Sequence, residues 1–513
     1  MPNRRSFLTG LAAGVGLLAA APSVALALAP TGFATRRRFV EAVRGGLSAD
    51  AGTVVVAGER AYLATPAATA IPDLPGWLPF SAIEVEHFGA VGDLVVATDA
   101  AGYVRSAGSD DRAAFEAADR YAAQSGIGAF HARGDYYLAG ELRLTSRLLC
   151  DGPARSRLWL HYGRADVLER GIWLAASNAG ISGFDLIGQY DIRTAKPRNN
   201  GNFGSIVSAG NYYTPHEQRP VRNLSVAVRM CRAAHVAGQV SRASSMCYAV
   251  GRTADSSFAL GTHGRTNVAS NLLFAAHWGC VFDPHSVPAD QPDKTPGRIL
   301  ETYHPSRLKI DVTTEIDNRQ GHGFSRVFEL SAAAACRVGD FRAVGLRSAY
   351  WLSPGDVVDA FAAAEAKGHV NRGHVIGRVR CSETRNQPRD AVALINGLGT
   401  SKFETYEGSV VPLVRQAVYD VRVAGHEIET GGAVERTTGL YVRAIRGRVD
   451  LGRCRVSGTA RSIVVTHSDG DVGFDLAEGD GGISIDHSRG VRVLGSGVTG
   501  PLPGRRGRPG AAV

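Results

Sequence analysis

From about residue 145 to residue 495 the chain shows short alternations of apolar and polar residues, separated by Gly, Asn, Ser and Asp. Alternation with a period of two is typical of strands that bury one face. The pattern predicts strands at 181–188, 224–230, 268–275, 308–314, 339–346, 374–381, 419–425, 440–445, 453–458, 462–467 and 482–487. Sustained helical periodicity interrupts this region only near Asp356–Lys367.

Neighbouring predicted strands mostly lie about 20–45 residues apart, without a fixed sequence period. This spacing favours a solenoid, in which each coil contributes several strands and buries its inward side chains by stacking on the next coil. A β-sandwich or a propeller would require Asn-Gly or Asp-Gly hairpins at short intervals. Such hairpins do not recur here, so the pattern predicts an all-β solenoid.

One amphipathic helix precedes the predicted solenoid, within residues 108–144. Ser109, Asp110 and Asp111 are candidate N-cap residues, because their side-chain oxygens can accept hydrogen bonds from the free N–H groups of the first turn. The apolar positions that recur at helical spacing are Ala114, Phe115, Ala118, Tyr121 and Ala122. Two glycines then end the helix, and short strands are predicted at 129–131 and 136–138.

The motifs around this helix resemble the start of pectin-lyase-like proteins, a superfamily of pectate lyases, polygalacturonase-related hydrolases and phage tailspikes. The motifs are "FGAVGD" at 88–93, "DD" at 110–111 and "GDYYLAGELRL" at 134–144. The resemblance covers roughly residues 83–145, and the insertion Leu94–Ala107 departs from it. It implies a right-handed parallel β-helix capped by the helix Asp110–Gln124, and an activity on polysaccharides.

The first 29 residues indicate an export signal. Arg4 and Arg5 precede an apolar run, Leu11–Ala21, and small-residue cleavage sites follow it. Paired arginines are typical of twin-arginine signals, and the run is shorter than the ~20 apolar residues that a membrane span needs. The predicted location is the bacterial periplasm or the medium, with no membrane attachment after cleavage.

The predicted domains are the signal (1–29), a small N-terminal appendage with a linker (30–82), the β-helix (83–500) and a disordered tail (501–513). Within the appendage we predict a short basic helix at Arg36–Arg44, a hairpin at Gly52–Ala64, and a proline-containing linker that includes Trp77. The arginines at 36–38 lack interleaved aromatic residues, so nothing supports nucleic-acid binding.

Composition adds little chemistry. The seven cysteines are an odd number without CxxC spacing, which argues against a disulfide framework and a zinc site. Buried thiols that pack as small apolar residues are expected instead. We find no GxSxG elbow, no cofactor motif and no metal-ligand spacing, so no cofactor or metal is predicted. The acids at 469–480 indicate a turn-rich acidic loop.

Parity within the predicted strands places a set of arginines on the outer surface. The set is Arg229, Arg342, Arg378, Arg380, Arg422, Arg443 and Arg453. Stacked on one sheet, they would form a basic stripe that attracts an extended anionic chain. The alternative is that each arginine pairs separately with an acid. The predicted substrate-binding residues are Lys309, Arg326, Arg342, Arg378, Arg380 and Tyr303.

The densest polar stretch, His277 to Glu329, contains the candidate catalytic acids. Glu315 and Asp317 would lie about 6.7 Å apart on one face of a strand, which falls within the ~6.5–9.5 Å typical of inverting glycosidases. Asp311 and His322 are predicted to support them. Gly321-His322-Gly323 is similar to the Gly-His-Gly of polygalacturonases, but the accompanying Asp-Asp and Arg-Ile-Lys are absent. The alternative is a polar turn that ends a strand.

The predicted function is therefore a secreted enzyme that hydrolyses an anionic polysaccharide or oligosaccharide. One alternative is a lyase that acts by β-elimination on uronic-acid polymers. Another is a glycan-binding β-helix protein without catalytic activity. The sugar, the linkage and the oligomeric state stay open.

We expect Glu315→Gln and Asp317→Asn each to remove nearly all turnover while folding and glycan binding stay intact, because each removes one of two required carboxyl groups. Reducing-end release from a polysaccharide panel measures this. Wild-type rates in both variants would place the catalytic site elsewhere, with Asp283 and Glu301 as the next pair to test.

Overall fold

The structure is a computed structural model that describes residues 31–51, 53–65, 71–80, 82–98, 104–150, 156–162, 170–190, 204–209, 221–233, 245–250, 253–260, 272–275, 306–312, 316–317, 326–331, 333–345, 348–353, 372–384, 391–397, 417–430 and 437–495. The chain forms two compact units, Met1–Ala82 and Ile83–Val513. The predicted domain limits at residues 29 and 500, and the predicted helix near Asp356–Lys367, lie outside the described residues.

The first unit is a four-stranded sheet with one helix. Its elements are β1 (Thr31–Phe33), α1 (Arg36–Arg44), β2 (Val54–Ala57), β3 (Arg60–Ala64) and β4 (Trp77–Pro79). β1 and β2 are parallel, and β3 and β4 continue the sheet antiparallel. The predicted helix and the predicted hairpin are both confirmed.

An aromatic cluster forms the core of this unit. Phe39 of α1 packs against Phe33, Tyr62 and Trp77, with ring centroids 5.2, 5.1 and 5.0 Å away. Placing Trp77 in a linker was therefore wrong, since it lies in β4 and is buried. A unit this small needs such large side chains to bury enough apolar area.

The second unit begins with a 3₁₀ helix (Val85–Phe88), a hairpin of β5 (Val95–Thr98) and β6 (Val104–Ala107), and helix α2 (Arg112–Gln124). The Asp111 carboxylate does not cap α2, as we had predicted. It accepts hydrogen bonds from the N–H groups of Val91 (2.7 Å) and Gly92 (3.1 Å) instead. The "FGAVGD" and "DD" motifs are thus joined directly.

Helix α2 packs on the first coil of the solenoid. Its buried face includes Ala114, Phe115, Ala118 and Ala122, as the helical spacing predicted. The Phe115 ring meets Phe130 and Tyr136 edge-on, at centroid distances of 6.4 and 5.1 Å. The helix therefore covers apolar side chains that have no preceding coil to stack on.

Each coil contributes strands to up to three faces. The strands of the first face are β7 (Ala129–His131), β10 (Arg147–Leu149), β13 (Gly180–Ser182), β17 (Ser225–Val228), β21 (Ser257–Leu260), β23 (Lys309–Val312), β26 (Arg337–Val338), β29 (Arg372–Thr384), β31 (Ala417–Thr430), β33 (Ile445–Asp450), β36 (Asp469–Phe474) and β39 (Arg489–Val493). Neighbouring strands in this series are parallel.

The second strands of the early coils form a separate sheet of β8 (Asp135–Ala139), β11 (Ser156–Tyr162), β14 (Phe184–Tyr190) and β18 (Met230–Ala233). The later second strands are β24 (Ile316–Asp317), β27 (Phe341–Val344), β34 (Arg453–Ser457) and β37 (Leu476–Gly479). These pair with one another or with the second halves of β29 and β31, which are continuous across the corner.

The third face is one parallel sheet of eleven strands within the described residues. Its strands are β9 (Leu142–Leu144), β12 (Arg170–Leu174), β15 (Gly204–Ala209), β19 (Ser245–Val250), β22 (Leu272–Ala275), β25 (Arg326–Ser331), β28 (Ser348–Ser353), β30 (Ala391–Asn396), β32 (Thr438–Arg443), β35 (Arg461–Thr466) and β38 (Ile483–Asp486). A short pair, β16 (Val221–Arg222) and β20 (Thr253–Ala254), lies before β17 and β21. The predicted parallel β-helix is confirmed.

Stacks of buried apolar side chains hold the coils in register. One stack on the first face contains Phe130, Leu148, Ile181, Val226, Phe258, Ile310, Val338, Ile376 and Val423. Successive members are separated by as few as 18 residues (Phe130 to Leu148) and as many as 52 (Phe258 to Ile310). The coils vary in length while the stack stays in register, so the sequence has no fixed period.

The corner before the first face recurs with the same backbone conformation. A residue with positive φ precedes many of its strands: Asn178, Asn223, Asp255, Arg307, Ala335, Gly373, Ala444, His467 and His487. Asn and Asp adopt this conformation more readily than most residues, but Arg307 and Ala335 do not. The regular corner is therefore imposed by the stacking of coils.

The predicted strands are found, but corners divide several of them. Residues 181–188 and 224–230 each span two strands, because the chain turns at Gly183 (φ 86°) in the first case and beside Arg229 in the second. Cys231, Cys336, Cys381 and Cys454 are buried free thiols, as expected, whereas Cys150 is half-buried. No helix in the described part of the chain is both long and apolar enough to cross a membrane.

Ile376→Ala should lower the free energy of unfolding by about 2–5 kcal/mol, because it leaves a cavity in the stack between Val338 and Val423. Val375 precedes it in β29 but is 45% exposed, so the matched control Val375→Ala should change stability by only about 0.5 kcal/mol. Urea unfolding followed by circular dichroism compares the two. Equal losses would contradict the inward stack.

Candidate functional site

A groove crosses the outer surface of the last coils, where the first face bends into the second. The first groove has a volume of about 560 Å³. It is lined by Val375, Ile376, Arg422, Val423, Ala424, Arg448, Asp450, Gly452, Gly473, Phe474, Asp475, Arg492 and Leu494. The bend depends on Gly452, whose φ of 58° and close approach to Ala424 leave no room for a Cβ.

A second, smaller depression adjoins the first groove, because Ala424 lines both. This notch has a volume of about 270 Å³ and is lined by Arg378, Ala424, Gly425, His426, Glu427, Arg453, Cys454, Arg455, Leu476 and Glu478. Together the first groove and the notch form an open surface along the strands, which suits an extended ligand better than a compact one.

Gly425 opens the notch. In register it lies between Arg378 on β29 and Arg453 on β34. A Cβ at this position would lie 2.7 Å from the carbonyl oxygen of Arg453, so the position requires glycine. Both arginine side chains are exposed, and neither forms an ion pair with a described residue. Two guanidinium groups therefore flank a gap without carboxylate partners there.

Other arginines around the notch are paired, as the alternative to a bare basic stripe predicted. Arg380 lies 3.1 Å from Glu427, and Arg455 lies 2.7 Å from Glu478. In the first groove Asp450 lies 2.7 Å from Arg448 and 3.8 Å from Arg422. These pairs are exposed and contribute little to stability, so their charges stay accessible to a ligand.

The predicted outward orientation is found for Arg342, Arg378, Arg380, Arg422 and Arg453, which are exposed, and Arg229 is partly exposed. It was wrong for Arg443, which is 2% exposed. Arg443 ends β32, and the chain turns at Ala444 (φ 51°) onto the next face. Strand parity does not predict burial at a corner.

The predicted catalytic set is described only in part. Glu315, His322 and Tyr303 lie outside the described residues, and only the backbone is described for Asp317 and Arg326. Asp317 lies in β24, in register with Val344. Asp311 lies in β23, where its carboxylate is 3.0 Å from the Lys309 ammonium group. The roles of these residues stay predictions.

Asp340 is an acid that sequence reasoning missed. Its Oδ1 accepts a hydrogen bond of 2.8 Å from the N–H group of Arg378. A Cβ on the preceding residue, Gly339, would lie 2.8 Å from Oδ1 of Asp311. Asp311, Asp340 and Arg378 therefore follow one another on successive coils. Asp340 follows the short strand β26, and nothing in its sequence environment marks this position.

The acids between 469 and 480 were also misassigned. They do not form a loop, because Asp469 and Asp471 lie on β36 and Glu478 on β37. The Asp471 carboxylate pairs with Arg492 at 2.7 Å, and the Glu478 carboxylate lies in the notch. The alternation in these strands is short and rich in glycine, which weakened the strand pattern. Among the described residues, no three His, Cys, Asp or Glu side chains converge as they would around a metal ion.

A buried polar chain lies beneath the notch. The Tyr350 hydroxyl is 2.9 Å from Nε2 of His426, and Nδ1 of His426 is 3.3 Å from Sγ of Cys454. The Cys454 thiol donates to the carbonyl oxygen of Leu451 at 3.3 Å. This order assigns the imidazole proton to Nδ1, so each group has a partner.

Burial determines the charge state of this chain. It lowers the pKa of His426 from 6.5 to about 4, and it raises the pKa of Tyr350 well above its usual range. His374, buried in β29 with Nδ1 3.2 Å from the N–H group of Cys336, has its pKa lowered to about 4 by the same cause. Both imidazoles are therefore neutral near pH 7.

No protein-family model and no curated protein matches the chain. Solved structures similar to it include the Streptococcus pneumoniae surface protein and adhesin PfbA, with 10% identity, a TM-score of 0.31, and coverage of 82% of this chain and 99% of that one. The catalytic domain of Agl-KA has 12% identity and a TM-score of 0.28, covering 84% and 70%. The tailspike protein of Acinetobacter phage vB_ApiP_P1 has 11% identity and a TM-score of 0.29, covering 95% and 76%. Since these values are low, the β-helix assignment rests on the strand register of this chain.

Stability should fall as the pH is lowered from 6.5 to 4, because the unfolded chain then binds protons at His426 and His374 that the folded chain does not. At about 1.4 kcal/mol per pKa unit, each histidine accounts for about 3 kcal/mol. The urea midpoint measured at several pH values reports the loss.

His426→Gln should destabilise the protein at pH 7 but make its stability less dependent on pH over this range, since one of the two titrating groups is gone. His374→Gln should have the same effect. The same pH dependence in wild type and both variants would contradict the assignment.

Proposed function

We propose that this chain is an exported carbohydrate-active enzyme that binds an anionic polysaccharide along the first groove and the notch and hydrolyses its glycosidic bonds. The observation that carries the proposal is the pair Arg378 and Arg453, exposed on either side of Gly425 without an acidic partner among the described residues. A carboxylate of the ligand would supply that partner.

The chemistry of the two arginines supports an acidic ligand. A guanidinium group presents a planar fork of N–H donors that matches a carboxylate. Two such groups on one open surface also raise the local concentration of an anionic chain. A neutral glycan would leave both charges without compensation, so the notch favours uronic acids or other acidic sugars.

Hydrolysis is assigned to carboxyl groups, since it needs an acid and a base on opposite sides of the scissile bond. Glu315 and Asp317 remain the proposed pair, supported by Asp311 and His322. Asp311 lies two coils from Arg378, with Asp340 between them. A substrate held in the notch would thus extend along the coils towards β23 and β24.

A lyase is the second candidate function. Arg378 and Arg453 are the kind of cations that would neutralise a uronate carboxyl group while a base removes the neighbouring proton. A screen of acidic polysaccharides separates the two reactions. New reducing ends without absorbance of unsaturated uronates support hydrolysis, and both signals together support elimination. Binding without either signal would leave a glycan-binding protein.

Arg378→Gln and Arg453→Gln should each weaken binding of an acidic polysaccharide about ten- to a hundredfold, as expected for a charged hydrogen bond of about 1.5–3 kcal/mol. Arg461→Gln is the matched control, because Arg461 is equally exposed but lies on the third face. Calorimetry at two salt concentrations should also show weaker wild-type binding at the higher one. Equal, salt-independent affinity for acidic and neutral glycans would refute the proposal.

A further inference from the structure

The last five coils carry alternating charge on the strands that form the first groove and the notch. β29 carries three arginines and one acid, and β31 carries one arginine and three acids. β33 and β34 together carry four arginines and one acid, and β36 and β37 carry three acids and no basic residue. β39 carries two arginines and no acid. The sign of the net charge therefore changes at every step along the solenoid.

The strand register places these charges in columns. One column contains Arg372, Asp420, Arg448 and Asp471. Another contains Arg380, Glu427, Arg455 and Glu478. Parallel strands lie about 4.8 Å apart, so each column repeats its charge after two strands, or about 9.6 Å. The notch has the same repeat, since Arg378 and Arg453 are two strands apart with Gly425 between them.

The alternation has limits that define its extent. Arg422 and Asp450 reverse the sign within their own strands and lie in register with each other. Before β29 the pattern ends, because Arg342 lies beside Arg380. The alternating surface therefore spans β29 to β39, the same coils that form the first groove and the notch.

We propose that this two-strand repeat selects an acidic polysaccharide with one carboxylate for every two sugars, in which acidic and neutral residues alternate. The inference rests on the proposed binding function of the first groove and the notch. An extended pyranose chain advances by about one strand spacing per sugar, so alternate sugars would face strands of the same sign. Acidic sugars would then face arginine-rich strands.

The neutral sugars would face the acid-rich strands, where hydroxyl and amide groups can donate to Glu427 and Glu478. A polymer with a carboxylate on every sugar cannot follow this arrangement. Every second carboxylate would lie against an acid-rich strand, and juxtaposed like charges disfavour a partner. The alternation therefore acts as a selector between two classes of acidic polymer.

The test compares three polymers of similar length: hyaluronan, which has one carboxylate per two sugars, polygalacturonate, which has one on every sugar, and neutral dextran. Calorimetry with the full chain should show hyaluronan binding at least tenfold more tightly than polygalacturonate, per binding site, at equal ionic strength. Dextran should bind most weakly of the three. Equal or tighter binding of polygalacturonate would overturn the inference.

The double variant Glu427→Gln, Glu478→Gln removes the acids that face the notch and should reduce the preference for hyaluronan to less than about threefold. Asp486→Asn is the matched control, because Asp486 is an exposed acid on the third face. An unchanged preference in the double variant would overturn the role of the acid-rich strands.

The outcomes also separate this inference from the proposed function. If Arg378→Gln weakens both acidic polymers equally and neither is preferred, the groove binds anions and only the selection is wrong. If no acidic polymer binds in a salt-dependent way, the proposed binding function fails as well.

Discussion

The β-helix depends on one constraint, the stacking of each inward apolar side chain on its counterpart in the next coil. A single coil cannot bury its own apolar residues, so burial is supplied by neighbours along the solenoid. Parallel pairing then holds Ile310, Val338 and Ile376 in one line, although very different lengths of chain separate them. The ends need another cover, and helix α2 provides it at the first coil.

The same constraint orders the outer surface. Because inward side chains stack at a fixed spacing, the outward side chains between them must stack as well, which brings charges within reach of one another. Like charges in neighbouring strands would repel, whereas the pairs Arg380–Glu427 and Arg455–Glu478 are attractive. Exposed pairs of this kind add little stability. They do, however, disfavour a shift of the coils by one strand, which would place like charges together.

Polar groups inside the solenoid are accommodated by partners on other coils. His426 links Tyr350 of the third face to Cys454 of the following coil. A buried group without such partners would cost several kcal/mol of desolvation, so the neutral imidazole is stable only in the folded stack. The interior beneath the notch is therefore specified by hydrogen bonds as well as by apolar packing.

The sequence alone determined the strands, the capping helix and the outward side of most strands, because these follow from local periodicity and from motifs around the helix. It could not determine which residues stack on one another, since 18 to 52 residues separate neighbours in one stack. Only the tertiary structure therefore placed Gly425 between Arg378 and Arg453, or Glu427 beside Arg380. It also decided the burial of Arg443, because a corner ends the alternation on which parity depends.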